Sequence, residues 1–250
     1  MESGSGRVMP EAKEIKVVYY PGCTVEFWNP EIGKAGVRIL EKNGFQVIVP
    51  RHQCCGVATM SYGDFKGART EANKLVDILL TAAGPDYDIV AACPSCSMAI
   101  KEDYPFLLDS EKSRALAART YFFSRFLNEL HEKGELNTNF KRLPMTVAYH
   151  PPCHLKAQGL DEESIKLLNL IPGIEVIELD RGCCGMAGTG GFKRRYYDSS
   201  MNIGSELFQR IKELNAQVVT TDCAGCSMQI EQGADVEVIH PLLLLDKAYV

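Results

Sequence analysis

A chain of 250 residues, 46% hydrophobic and 24% charged, can bury the cores of two ordinary domains and has the balance of a globular protein. Its net charge of −5 argues against a general nucleic-acid surface, which needs a basic excess to neutralise phosphates. No apolar run approaches the roughly 18 residues of a membrane span, and the first residues hold no apolar secretion segment, so a cytoplasmic protein in a reducing compartment is expected.

Residues 1–14 read as a flexible tail. The β-branched and aromatic run 15–20 predicts a buried strand, ended by Pro21-Gly22 just before Cys23. Asn29-Pro30-Glu31 opens a helix, with asparagine as N-cap and proline at the first helical position, and Asn43-Gly44 stops it after residue 42. A second strand, 45–49, leads to Cys54-Cys55-Gly56. A helix over 67–83 buries Ala68, Ala72, Leu75, Val76 and Leu79. A third strand, 88–92, runs straight into Cys93-Pro94-Ser95-Cys96, which opens a short helix. Residues 113–133 read as one long amphipathic helix whose stripe, Leu116, Phe123, Phe126, Leu127 and Leu130, is core-like; a docking face for a membrane or partner is the alternative.

The polar stretch 134–144 is the natural boundary, separating a first domain, 15–138, from a second, 139–250. The pattern then restarts: a strand over 146–149 before His150 and Cys153, a helix over 162–170, and a strand over 174–179 before Cys183-Cys184-Gly185 and a Gly-rich run to Lys193. A helix over 197–215, a strand over 217–221 before Cys223, and a short strand over 235–239 ended by His240-Pro241 complete it. Strands alternating with helices predict an α/β protein of two pseudo-symmetric, Rossmann-like halves with parallel sheets. Cysteines directly after strands fall at the carboxyl edge of such sheets, where ligands sit and helix N-termini favour anions.

The cysteines are the distinctive feature. Cys23, Cys54, Cys55, Cys93 and Cys96 are separated by 31, 1, 38 and 3 residues; Cys153, Cys183, Cys184, Cys223 and Cys226 by 30, 1, 39 and 3. All ten cysteines are used, and the repeat is an internal duplication of about 130 residues. Disulfides are not expected in a reducing compartment and a chain of this length. Cys-x-x-Cys at a turn chelates zinc or iron–sulfur centres. Adjacent cysteines point in opposed directions, which suits different metal atoms of one cluster better than a single tetrahedral ion. Gly56, Gly185, Gly188, Gly190 and Gly191 would let backbone N–H groups approach bridging sulfides. Spacing alone favours iron–sulfur, leaving zinc and redox-active thiols open.

The doubled pattern resembles the cysteine-rich CCG-domain family of heterodisulfide reductase B-like iron–sulfur subunits, from about residue 16 to 248. The stretches from Tyr149 to His154, from Cys183 to Lys193, from Val219 to Cys223, from Asn29 to Lys34 and from Gly63 to Lys66 look most like anaerobic glycerol-3-phosphate dehydrogenase C subunits. The resemblance implies two clusters, [4Fe-4S] or non-cubane, on Cys23, Cys54, Cys55, Cys93 and Cys96 and on Cys153, Cys183, Cys184, Cys223 and Cys226, with zinc at one site as the variant. It implies electron transfer from a flavin-containing dehydrogenase subunit toward quinone, as a subunit of an oxidoreductase complex, peripheral on the inner face of the cytoplasmic membrane. Its alternative is reduction of a disulfide substrate. The ferredoxin-like segment that usually begins such C subunits is absent from this sequence, so either it has been removed or a separate ferredoxin-like partner supplies it.

Among other residues, His154 is the candidate catalytic group, with ligation, a bond to sulfur or proton delivery as its roles; His150 and His52 carry the same readings more weakly. His131 and His240 read as structural, Phe27 and Trp28 as core in preference to a cover over the first cluster, and Lys193, Arg194 and Arg195 as a solvated turn or a patch that offsets cluster charge or meets an acidic partner. At matched positions Thr24 becomes His154, Ala92 becomes Asp222, and Pro21-Gly22 becomes Pro151-Pro152. The second site is therefore expected nearer the chemistry and lower in potential, unless Asp222 only caps the helix at Cys223 and His154 only fills a turn.

Overall fold

A computed structural model describes residues 15–179, 182–214 and 216–250; the expected tail and the end of the helix expected to reach 215 lie outside them. In the first half, β1 (Ile15–Tyr20), α1 (Cys23–Phe27), α2 (Pro30–Lys42) and β2 (Phe45–Ile48) are followed by α3 (Val57–Ser61), α4 (Phe65–Ala83) and β3 (Asp88–Ala91). Helix α5 (Pro94–Met98) passes through a π-helical turn, Ala99–Asp103, into α6 (Tyr104–Leu108), α7 (Glu111–Ala118), β4 (Thr120–Phe122) and α8 (Phe123–Glu132). The second half runs β5 (Met145–Tyr149), α9 (Cys153–Lys156), α10 (Glu163–Leu168), β6 (Ile174–Glu178), α11 (Tyr197–Glu213), β7 (Val218–Thr220), α12 (Ala224–Ala234), β8 (Val238–Ile239) and α13 (Pro241–Ala248).

Each half builds a four-stranded parallel sheet, ordered β2-β1-β3-β4 and β6-β5-β7-β8. The strand order is the same, as a duplication requires. Register repeats it as well: Ile15 pairs with Phe45 and Met145 with Ile174, the same one-residue difference that separates the cysteine gaps.

Two expectations need correction. The segment 113–133 is not one helix: it breaks at Arg119, whose carbonyl accepts from Ile89 N, and Thr120–Phe122 joins the sheet beside β3. Thr120, Tyr121 and Phe122 are β-formers, and an open sheet edge offers them a ladder that an isolated helix does not. The Arg119 guanidinium fixes the break by donating to the carbonyls of Gly84 and Tyr87. The apolar stripe is core on both sides of the break, so it is no docking face. His240-Pro241 likewise starts a helix rather than merely ending a strand, with proline in its favoured first-turn place. Asn29 occupies the N-cap of α2, but its side chain makes no capping bond.

Among the described residues, three apolar clusters hold the molecule together. One lies under each cysteine set; the largest is shared, joining α2 and α8 to α10 and α13. Its rim is polar: Arg38 grips Asp246 with three bonds of 3.2, 3.0 and 2.6 Å, and Asn43 donates to Tyr249. No helix among the described residues is long and apolar enough to cross a membrane.

Candidate metal centres

All ten cysteines are free thiols, and each set gathers at the carboxyl edge of its sheet. In the first set the thiols form a chain. Cys23 Sγ lies 3.8 Å from Cys54 Sγ, and Cys55 Sγ lies 3.4 Å from Cys96 Sγ, which neighbours Cys93. The approach depends on Gly22, at φ +82° and ψ 162°: a Cβ there would meet Cys96 Sγ at 3.0 Å. That conformation is essentially reserved for glycine. The Cys54 thiol is pushed down, chiefly because Cys23 donates to it, and Cys23 is pushed up in exchange. Cys93, the N-cap of α5, is held down to about 7 by the Cys96 side chain, against burial, with help from the backbone N–H groups of Cys96 and Ser95 and from the Ser95 side chain. Two phenols close the site. Tyr20 Oη is 4.0 Å from Cys96 Sγ and donates to Gln53 O, while Tyr104 Oη donates to Cys55 O at 2.6 Å.

The second set is more open. Cys184 and Cys226 are buried 3.3 Å apart, but Cys153 and Cys183 are exposed. Gly185 N–H donates to Cys183 Sγ at 3.3 Å. His150 replaces Tyr20, and its ring lies with Cys184 and Cys226 so that the three ligand atoms fall within 4.8 Å of one another. Cys184 is pushed down by bonds from Cys183 and Cys226 and then from the His150 ring. His150 Nδ1 is buried with no hydrogen-bond partner among the described residues, a capacity that a metal or sulfur would use. Five thiols exceed the four ligands of a closed zinc site, and their contiguity suits a polynuclear centre.

A cysteine-rich domain profile, CCG, matches residues 17–101 and again 147–231. The chain belongs to the CCG cysteine-rich domain family. Among its relatives, the C subunit of anaerobic glycerol-3-phosphate dehydrogenase from Escherichia coli (strain K12) is 34% identical over 93% of this chain and 59% of that protein. The B subunit of fumarate reductase (CoM/CoB) from Methanothermobacter marburgensis is 32% identical over 94% of this chain and 46% of that protein. Lactate utilization protein A 1 of Bacillus mycoides is 30% identical over 93% of this chain and 97% of that protein. The CCG chain therefore spans about half the length of the first two relatives and nearly all of the third.

Other predicted residues of this CCG protein fall differently. His154 does not face its own half's thiols; its Nδ1 lies 2.6 Å from Ser95 Oγ, across the junction of the halves. His150 is the histidine that meets them, and its match with Tyr20 is the signal that spacing offers. Asp222 makes no capping bond to α12: buried, it accepts from Tyr149 Oη at 2.6 Å and Ser164 Oγ at 2.8 Å, and burial pushes it up to about 6. His52 packs edge-on to Tyr20 and lies 3.3 Å from Glu26. His131 is exposed, and His240 is structural, its Nδ1 accepting from Leu242 N. Phe27 and Trp28 are exposed rather than core, because α1 is a single turn that buries only Val25. Trp28 lies beside the second set, lining a cavity of about 70 Å³ with Cys223, Thr221 and His240. The N–H groups of Gly190 and Gly191 are used inside their own turn, on Ala187 O and Met186 O, so those two are not offered to sulfides. Lys193 stacks over Tyr62 at 4.0 Å, tying the Gly-rich turn to the first half.

Proposed function

We propose that this CCG protein is an iron–sulfur electron-transfer subunit of an oxidoreductase complex, each half holding one cluster on its own five cysteines. One observation carries the reading: at the same edge of two like sheets, the fold collects five thiols from three separate segments. A bound cluster supplies one-electron chemistry. The chain's part is to hold the sulfurs, to limit water and to set potential through the groups around them. At the first set the buried Cys55 and Cys96, under Tyr20 and Tyr104, exclude water. At the second, exposed Cys153 and Cys183 leave an approach for a redox partner.

The finer reading is transfer from a flavin-containing dehydrogenase subunit, by way of a ferredoxin-like domain or partner, toward quinone at the inner face of a membrane. The names of the relatives, one a part of a glycerol-3-phosphate dehydrogenase and one a part of a fumarate reductase, support it. Exposure at Cys153 and Cys183 also favours a second reading, reduction of a disulfide substrate at the second set. Anaerobic purification with iron, acid-labile sulfide and zinc analysis tests the proposal. Iron and sulfide in matched amounts, lost in part when either set is mutated, is the expected result; zinc without sulfide in both sets overturns it. Turnover of a small disulfide with a reduced viologen separates the two readings.

A further inference from the structure

Helix α9 begins at Cys153 of the second set, yet side chains from it and from the turn that follows work on the first. His154 Nδ1 meets Ser95 Oγ at 2.6 Å. The Gln158 amide donates to Pro94 O at 3.3 Å and to His154 O at 2.6 Å, and Ser97 Oγ donates to Gln158 Oε1 at 2.9 Å. Both hydroxyls flanking Cys96, and the carbonyl next after Cys93, are thus held by residues of the other half. We infer that His154 and Gln158 are positioning residues of the first cysteine set, a clamp from the second half that fixes the Cys93-to-Cys96 turn.

The duplication supplies an internal control. Thr24 and Trp28 stand where His154 and Gln158 stand; Trp28, 67% exposed, reaches the cavity beside Cys223, Ala224 and Ser227 but has no side-chain acceptor to offer a hydroxyl there. Ala224 and Gly225 replace Pro94 and Ser95, so the second turn has no hydroxyl to hold at that place. Ser227, matching Ser97, turns to Glu231 of its own helix. The helix after the clamped turn differs too. Residues Ala99–Asp103 follow α5 as a π-helical turn, whereas α12 continues as regular helix to Ala234. Such π-turns often mark places where side-chain geometry has been reset. Asp103, on that turn, faces His154 electrostatically.

Ser95 is the link to sulfur: it sits between Cys93 and Cys96 in the turn, and its side chain is among the groups that hold the Cys93 thiol down. With the Nδ1–H tautomer, His154 donates to Ser95 Oγ and leaves the Ser95 O–H free to donate to Cys93 Sγ. A donor aimed at a ligand sulfur favours the more negative, reduced state and raises potential. On the iron–sulfur reading proposed above, the second half therefore tunes the first site, and His154 acts away from the cysteine it adjoins in sequence.

Two measurements on the full chain test this. The first needs no cluster: hydrogen exchange followed by mass spectrometry. Exchange of amides over 96–103 should rise about tenfold in His154→Ala and Gln158→Ala, as expected for about 1.4 kcal/mol of lost local stability, with amides over 226–233 unmoved. Unchanged exchange over 96–103 overturns the clamp whatever metal is bound. The second is a redox titration of the anaerobically purified protein by electron paramagnetic resonance, with signals assigned from Cys55→Ser and Cys184→Ser. His154→Ala and Ser95→Ala should each lower the first-site midpoint, the double variant should fall no further, and His154→Asn, which restores an N–H near the Nδ1 position, should recover it. Additive shifts, or a shift confined to the second signal, overturn the tuning role. A wild-type chain without iron or sulfide defeats the iron–sulfur reading and the tuning built on it, while the exchange result still decides the clamp.

Discussion

At the turn before the first cysteine, the two halves make opposite choices. Gly22 sits at φ +82°, ψ 162°, where only glycine is comfortable; its match, Pro152, sits at φ −64°, ψ 147°, where proline is at home. Two residues earlier, a phenol beside Cys96 is exchanged for an imidazole beside Cys184 and Cys226. The sheets keep the same order and register while the linings diverge. The scaffold tolerates this because strand pairing is set by core-facing residues, whereas the turns beyond the strands face the cysteine cluster. A duplicated fold therefore does not carry a duplicated site. The first set is closed and clamped; the second is open.

The sharpest way to break this comparison is to empty one set at a time. Cys55→Ser should remove the first site's iron and leave the second's, and Cys184→Ser the reverse, each losing about half of the total by colorimetric iron assay. Loss of both sites from either single change would mean that the sets are not separate.

A smaller effect separates the halves by acid. His240 caps α13 after the last strand of the second sheet, where the first half has Phe122. Burial holds its imidazole down from 6.5 to about 4. Between those values the unfolded chain takes up a proton that the folded chain refuses, so stability falls as pH drops through the window. The loss amounts to about 3 kcal/mol when complete. His240→Asn keeps a capping acceptor without the titration and should flatten urea-melt stability over that range. An unaltered pH slope would remove His240 as the cause.

Smaller again, Gly22→Ala should cost about 2 kcal/mol, from a disfavoured backbone and the contact with Cys96 Sγ. Pro152→Ala should cost less than about 1 kcal/mol, since any residue adopts that conformation. Equal losses in thermal melts would erase the distinction. Smallest, Lys193→Ala removes an exposed stacking contact with Tyr62 worth about 0.5 kcal/mol and should leave iron content untouched. Loss of iron there would make the basic turn part of the metal centre rather than a tie between the halves.

The fold is legible wherever periodicity is local. The first three strands of each sheet follow from β-branched runs, and the cysteine spacing alone places five thiols at each edge. What fails is what depends on partners distant in sequence. Nothing within 113–133 says that a free sheet edge beside β3 will draw Thr120 to Phe122 out of a helix. Nor does the sequence around Leu242 to Leu245 show that α2 waits to receive α13. Phe27 and Trp28 look buried by composition, but one turn of α1 is too short to turn them inward. His154 reads as a neighbour of Cys153 because adjacency is all that sequence gives. The helix it opens puts the ring on the side of Ser95 instead.

The docking of α13 has a consequence for how the protein comes to be. That helix follows every other described element in the chain, yet Leu242, Leu245 and Ala248 belong to the same apolar cluster as Val17, Ile39 and Leu40. As the chain leaves the ribosome, the first sheet is complete long before its outer layer is, and one apolar flank of α2 stays wet until α13 emerges. Without α13 the first half keeps that face bare. A ribosome that stops before α13 is made leaves a thiol-rich product with an uncovered hydrophobic face, the kind of species that chaperones and proteases remove.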